Sequence, residues 1–473
     1  MAITRRQFIT RTGLATAGTL IGPGLFGNPL VRRAFADLGD RYLVVIFLDG
    51  GNDGQNTVIP ADNGGGSLRS DYEANRFGGG GGIRVTPGEL GSTLIGNDPN
   101  TGAQLGLHPG LIGLKQLYDA GQLAVIQGCG YPEYSLSHEE SRLIWQTGNP
   151  LRLSSLSGSG WVGRHLAATY GGSQIPAVCL SDSIEPDFRQ STTSVLALRR
   201  LEDFGFPWDD FGSDEARKAL AFGALHDAAS AGSHPTQKFI GNAGNATLQS
   251  TQSYPGLHGL YENDRASFSQ QYDAIDRSTA IDLREIAKII YGVSSGVSGV
   301  QARFFQLSNG GYDTHSDQGG ADGQHYDLHR EVGDSLKVFY DDLADMGVAD
   351  KVLTVVWSEF SRRIEQNENG TDHGSQGPMF VIGGPALNGG VYGNHPNIAA
   401  LDIDQDGNGN TIYRQTPNAF RSTDFRDVFG TILKHWLNMS QVQILSSVLV
   451  PDTLPGEYWS VANGINLDMG FLP

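Results

Sequence analysis

The chain has 473 residues, 39% of them hydrophobic, which is enough apolar content for a large core. Acids outnumber bases 51 to 33, a formal charge of -18 that repels nucleic acid and anionic lipid and suits divalent cations. Only two cysteines occur, Cys129 and Cys179, so a disulfide scaffold is excluded; both end apolar runs, where separate buried thiols are expected, with pairing in an oxidising compartment as the alternative.

In chain order, Thr4, Arg5, Arg6, Gln7, Phe8 and Ile9 form a twin-arginine pattern. A glycine-broken, uncharged, weakly apolar stretch follows, and Ala34, Phe35 and Ala36 make a small-x-small cleavage site. Residues 1–36 therefore read as a signal for the twin-arginine translocase, and 37–473 as one mature domain, periplasmic or secreted. Losing the five arginines of that segment takes the formal charge of -18 to about -23. No later stretch approaches the ~18 uninterrupted apolar residues of a membrane span.

Short apolar runs at 42–48, 123–127, 177–180, 303–307, 352–357 and 379–382 have strand length and β-branched content. Three- and four-residue apolar spacing predicts helices over 110–120, 138–146, 215–229, 267–291, 326–346 and 424–437. The alternation implies an α/β fold: a doubly wound, mostly parallel sheet with helices on both faces. The stretch 64–91, with five consecutive glycines, reads as a flexible surface insertion. The segment 181–291 reads as a helical insertion capping the sheet edge, with the aromatic, acidic "FGFPWDDFG" as a binding or packing loop.

Chemistry-bearing residues gather where strands stop. Asp49 ends "YLVVIFL"; Asp313 and His315 follow "RFFQL"; Glu359 follows "VLTVVW"; Asp372 and His373 precede "MFVIGG". In a parallel sheet such ends share one edge, so Asp49, Asp313, His315, Glu359, Asp372 and His373 are candidate ligands for one or two divalent ions: zinc, manganese, magnesium or calcium. Two further motifs stand apart. "DIDQDGNGN" (402–410) spaces Asp402, Asp404 and Asp406 as a calcium loop does, but Tyr413 occupies the place of its closing glutamate, and a hairpin turn explains the run as well. His325 and His329 lie one helical turn apart without a zinc-protease glutamate, and are expected on an exposed helix face.

"LVVIFLDGGNDGQNTVIP", "LGLHPGL", "SLSHEESRLIWQTG", "GWVGRHL", "GGYDTHSDQ", "WSEFSRR" and "NGTDHGSQGPMFVIGG" resemble the successive motifs of a bacterial family of twin-arginine-exported proteins. That family is known only as a domain of unknown function and is grouped with the alkaline phosphatase and sulfatase superfamily. The resemblance runs from about Asp40 to Leu437. It implies an alkaline phosphatase-like sheet with Asp49 as the early ligand, Asp313 and His315 as the middle pair, and His373 as the last histidine. Glu359 stands where the superfamily has an Asp-His pair, which favours one ion over two. Ser137 and His138 take the catalytic place, Ser137 either as nucleophile or, with Glu140, as a helix cap. Asn52, Arg164 and Arg362 would face an anionic substrate. No C/S-x-P-x-R motif for a formylglycine is present. The implied function is hydrolysis of a small phosphate or sulfate ester; the alternative is a non-catalytic envelope binding or assembly protein that retains the fold.

Overall fold

The computed structural model describes residues 41–473 apart from 132–133, 153–157, 171–174, 191, 206–214, 385–386, 399–402, 406–410, 414–417, 420 and 450–464. The signal segment, most of "FGFPWDDFG" and most of the 402–410 loop lie outside the described residues.

At the centre is a nine-stranded sheet. Its strands are β1 (Tyr42–Asp49), β2 (Leu123–Gly130), β3 (Ala177–Cys179), β4 (Val195–Ala197), β5 (Phe304–Gly310), β6 (Val352–Trp357), β7 (Gly377–Gly383), β8 (Gly390–Tyr392) and β9 (Thr423–Asp424). The order is β8-β2-β7-β6-β1-β5-β3-β4, with β9 paired to β2. β1 runs parallel to β5 and β6, while β7 is antiparallel to both β6 and β2. The fold is thus α/β with a mixed, mostly parallel sheet.

β1 shows why both faces must be covered. Val44, Ile46 and Leu48 point to one side, Leu43, Val45 and Phe47 to the other, and all are buried. The first set joins a core with helices Ile112–Asp119, Pro235–Asp264, Ala266–Ile275, Ser278–Ser294 and Gln324–Asp345. The second joins a core with helices His138–Thr147, Trp161–Thr169 and Phe425–Thr431. Among the described residues, no helix is long and apolar enough to cross a membrane. Cys129 and Cys179 are separate buried thiols, and burial pushes both pKa values up.

Three expectations about local structure change. The predicted 267–291 helix is two, separated at Asp276 in the left-handed conformation. The 181–291 segment does contain helices, but Val195–Ala197 extends the sheet edge and Tyr254, Leu257 and Tyr261 pack into the core on a sheet face. The 64–91 insertion is only partly flexible in character: it forms helix Leu68–Asn75, and Arg76 is buried against Asp53 at 2.6 Å. Gly79 and Gly80 alone in the glycine run face open space.

Candidate metal centre

β1, β5 and β6 are adjacent and parallel, so their carboxyl ends share one edge; Asp49 is in register with Gly310, and Phe47 with Trp357. The turn after β1 must pass the turn after β5. Gly50 has φ +120, and a Cβ there would lie 2.4 Å from the backbone nitrogen of Asp313, so only glycine allows the approach. His373 reaches the same edge for a different reason. It precedes β7, and only because β7 runs antiparallel does its beginning lie beside the ends of the others.

Four side chains converge there. The Asp313 carboxylate lies 3.1 Å from His373 Nε2, 3.1 Å from His315 Nε2 and 3.5 Å from His138 Nε2. The Nε2 atoms of His315 and His373 are 3.0 Å apart. Ligand atoms of His138, Asp313 and His373 all lie within 4.8 Å of one another, a group that could hold a metal ion.

The outer nitrogen of each ring fixes what the inner one offers. His373 Nδ1 is 2.8 Å from the carbonyl of Leu136, which can only accept, so Nδ1 carries the proton and the neutral ring presents a lone pair at Nε2. His138 Nδ1 donates to Glu359 Oε1 at 2.8 Å, and His315 Nδ1 faces Asp372 Oδ1 at 3.3 Å. The Nε2 atoms of three rings and a carboxylate therefore point inward, an arrangement that needs a shared proton or a cation among them to offset its repulsion. A cation with bonds of about 2.05 Å to a tetrahedral set would space its ligands about 3.3 Å apart; Asp313 lies 3.1 Å from His373 and 3.5 Å from His138, within a group whose atoms span up to 4.8 Å.

Electrostatics sorts the groups. The Asp313 carboxyl is partly buried, but the hydrogen bond and charge of Arg362, with His373 and His138, hold it below its ordinary value. The Glu359 hydrogen bond raises His138 against the effect of burial. Burial lowers His373, and the Arg362 charge adds to this against the pull of the Leu136 carbonyl. Burial and the charge of Glu359 push Asp49 up, against Arg142 and His138.

The other expected site residues have the following surroundings. Glu359 is fully buried and lies behind His138, accepting from Gly50 N at 3.0 Å and from the His138 ring, so it is outside the ligand group. Asp372 supports His315 and pairs with Arg363 at 3.3 Å. Asp49 stands to one side, its Oδ2 3.7 Å from Arg142. Ser137 is the N-cap of helix His138–Thr147; its Oγ accepts from Glu140 N, while the neighbouring His138 ring is turned to Glu359. Arg362 is buried and donates to the carbonyls of Gly50, Gly51, Tyr312 and Thr371 as well as to Asp313, so it holds the turns together. Arg164 donates to the carbonyls of Thr147, Ser159 and Val448, and burial pulls its pKa down to about 10. Asn52 is buried, its Oδ1 accepting from His325 Nε2 at 3.0 Å.

Sequence reasoning missed two features. Arg142, one helical turn beyond His138, lies between Asp49 and Glu185, 2.6 Å from the latter, and remains partly exposed; the i, i+4 spacing from His138 was the available signal. His325 and His329, expected outside, are buried with His108, the ring centres 4.1–5.2 Å apart. They form the floor beneath the 52–57 turn: His329 Nε2 lies 3.1 Å from Thr57 Oγ1. Counting histidine as polar hid that this helix face is buried.

No curated protein matches the chain significantly. Among solved structures, the crystal structure of the PsFucS1 sulfatase from Pseudoalteromonas sp. is similar at 12% identity over 86% of this chain and 71% of that one, with a TM-score of 0.31, too low to carry an argument about function. Residues 293–439, which include Asp313, His315, Glu359, Asp372 and His373, match the model of a family described as a protein of unknown function (DUF1501).

Proposed function

We propose that the protein is an exported, metal-dependent hydrolase of phosphate or sulfate esters, with one zinc-class cation held by Nε2 of His138 and His373 and by Asp313, and with His315 at its flank. The supporting observation is the convergence of three imidazole nitrogens and one carboxylate at the carboxyl edge of the sheet. Imidazole donors suit zinc and its neighbours, whereas calcium and magnesium take oxygen ligands, so these two are set aside. The twin-arginine pattern at Thr4–Arg5–Arg6 supports export through that translocase to the periplasm or beyond.

When bound, such a cation lowers the pKa of a coordinated water and neutralises charge on an ester oxygen. The residues around it orient the ligands and the substrate. Glu359, Asp372 and the Leu136 carbonyl keep the three rings turned inward. Arg142, anchored by Glu185 and partly exposed, is the guanidinium placed to meet a substrate oxyanion. Ser137 acts as a cap and, among the described residues, no base is bonded to its hydroxyl, which supports direct attack by water: the water oxygen bonds to phosphorus or sulfur as the bond to the ester oxygen breaks, and that oxygen leaves with a proton.

The test is metal analysis of the purified mature protein, with a panel of chromogenic phosphate monoesters, diesters and sulfate esters assayed with added zinc, manganese or calcium. Zinc-dependent turnover that is lost in Asp313→Ala and His373→Ala is expected. Unchanged metal content in both variants discards the centre. A zinc-loaded protein inert toward every ester favours the envelope binding role instead.

A further inference from the structure

We propose that Glu359 is a positioning residue: its buried carboxylate fixes the His138 ring in the tautomer that presents Nε2 to the cation. The inference rests on the metal reading above but makes a claim about this chain alone. Glu359 lies two residues beyond β6 and has no exposed surface. Its Oε1 accepts from both Gly50 N (3.0 Å) and His138 Nδ1 (2.8 Å), and its Oε2 accepts from Ser358 Oγ (3.0 Å). Among the described residues, no lysine or arginine forms an ion pair with it, and His138 is its salt-bridge partner.

Two consequences follow from that arrangement. A carboxylate held away from water is stabilised by a compensating positive charge, and its salt-bridge partner His138 can carry one, either as an added proton or as a cation on the opposite nitrogen. Among the described residues, His138 Nε2 is buried without a hydrogen-bond partner and faces the Asp313 carboxylate at 3.5 Å, so the ring is aimed at the centre. A ligating histidine whose far N–H rests on a carboxylate has a fixed ring plane and a more basic donor nitrogen. The same carboxylate holds Gly50, and through it the turn that packs against Asp313, so one buried group bears on the positions of two ligands, one at the start of a helix and one beyond a strand.

The superfamily resemblance assigned Glu359 to the ligand set in place of a missing Asp-His pair. The geometry replaces that role with another: the chain keeps an acid at this point because His138, from a helix 221 residues earlier, takes the ligand position in front of it.

The experiment uses full-length mature protein selectively labelled with 15N-histidine, and variants Glu359→Gln and Glu359→Ala, with His138→Gln to assign the His138 signals. Long-range imidazole NMR on metal-free protein above pH 8 reads the tautomer, and calorimetric zinc titration reads affinity. Wild type should show His138 protonated at Nδ1. Glu359→Gln preserves shape and an acceptor oxygen but removes the charge, and should bind zinc ~10-fold more weakly; Glu359→Ala removes the acceptor, and should mix the tautomers and weaken zinc ~100-fold. An Nε2-protonated His138 in the wild type overturns the proposal whether or not zinc binds. Wild-type affinity in a folded Glu359→Gln together with an unchanged tautomer in Glu359→Ala overturns it also. The expected tautomers in a wild type that binds no zinc would sink the metal reading and leave the positioning role standing.

Discussion

Replacing Arg362 separates a scaffold from a substrate contact. Its guanidinium is buried and donates at Nε to Gly51 O (2.7 Å), at one terminal nitrogen to Thr371 O (3.1 Å), and at the other to Gly50 O, Tyr312 O (2.9 Å) and Asp313 Oδ1 (2.5 Å). Arg362→Lys keeps the charge but supplies donors from a single point, so at least two of four carbonyls lose their partner. At about 1–3 kcal/mol for each buried acceptor left unsatisfied, and with partial relaxation, the cost is about 2–4 kcal/mol. Arg362→Met leaves all four carbonyls without that donor, while the lost Asp313 contact adds little because this carboxylate is about half exposed and screened by water, so the cost should exceed that of Arg362→Lys, at roughly 3–5 kcal/mol. Urea unfolding followed by fluorescence of the six tryptophans, with zinc titration of the folded fraction, measures both effects. A stable Arg362→Lys protein with the wild-type midpoint and zinc affinity, defective only in ester turnover, would refute the scaffold assignment and return Arg362 to the substrate.

Other consequences follow from the same geometry. Burial pulls His108 down to about 4 and His325 and His329 well below their ordinary values; folded pKa values below the unfolded ~6.5 mean that stability is complete above that pH and is lost as pH falls toward 4, with a limiting slope of about 4 kcal/mol per unit for three protons. The urea midpoint should therefore drop between pH 7 and 5, and less steeply in His329→Leu. Asp187 is fully buried, and burial, followed by the charge of Glu185, pushes its pKa up to about 8. Because the folded value exceeds the unfolded one, stability falls as pH rises from about 4 to 8, and Asp187→Asn should gain about 1–3 kcal/mol at pH 8 and little at pH 4; an equal change at both values contradicts a buried acid. Gly50→Ala would place a methyl 2.4 Å from Asp313 N at a positive φ, and should cost at least about 2 kcal/mol and weaken zinc binding, read by the same titrations.

Part of the candidate centre was legible because strand ends are marked by composition: "YLVVIFL" and "VLTVVW" announce buried central strands, Asp49 follows its run directly, Glu359 follows after one serine, and Asp313 and His315 follow "RFFQL" after a glycine turn. Pairing is not marked. A histidine before a strand belongs at the opposite edge of an all-parallel sheet, so His373 reaches the centre only through the reversed direction of β7, which no local pattern announces. The difference between a ligand and its support was equally hidden. Glu359 and Asp313 look alike in sequence, each an acid beyond a strand, yet one is buried behind an imidazole and the other is about half exposed in front of it. The arginines failed for a related reason. Arg164 and Arg362 sit in motifs that suggested anion binding, but buried backbone carbonyls at turns and helix ends need donors, and a guanidinium meets several at once. Arg142 is left partly exposed, held by Glu185, a residue 43 positions away whose proximity depends on helix His138–Thr147 packing beside the 185–188 turn. Local chemistry therefore names which residues are available for a site, while strand direction and burial decide which of them face it.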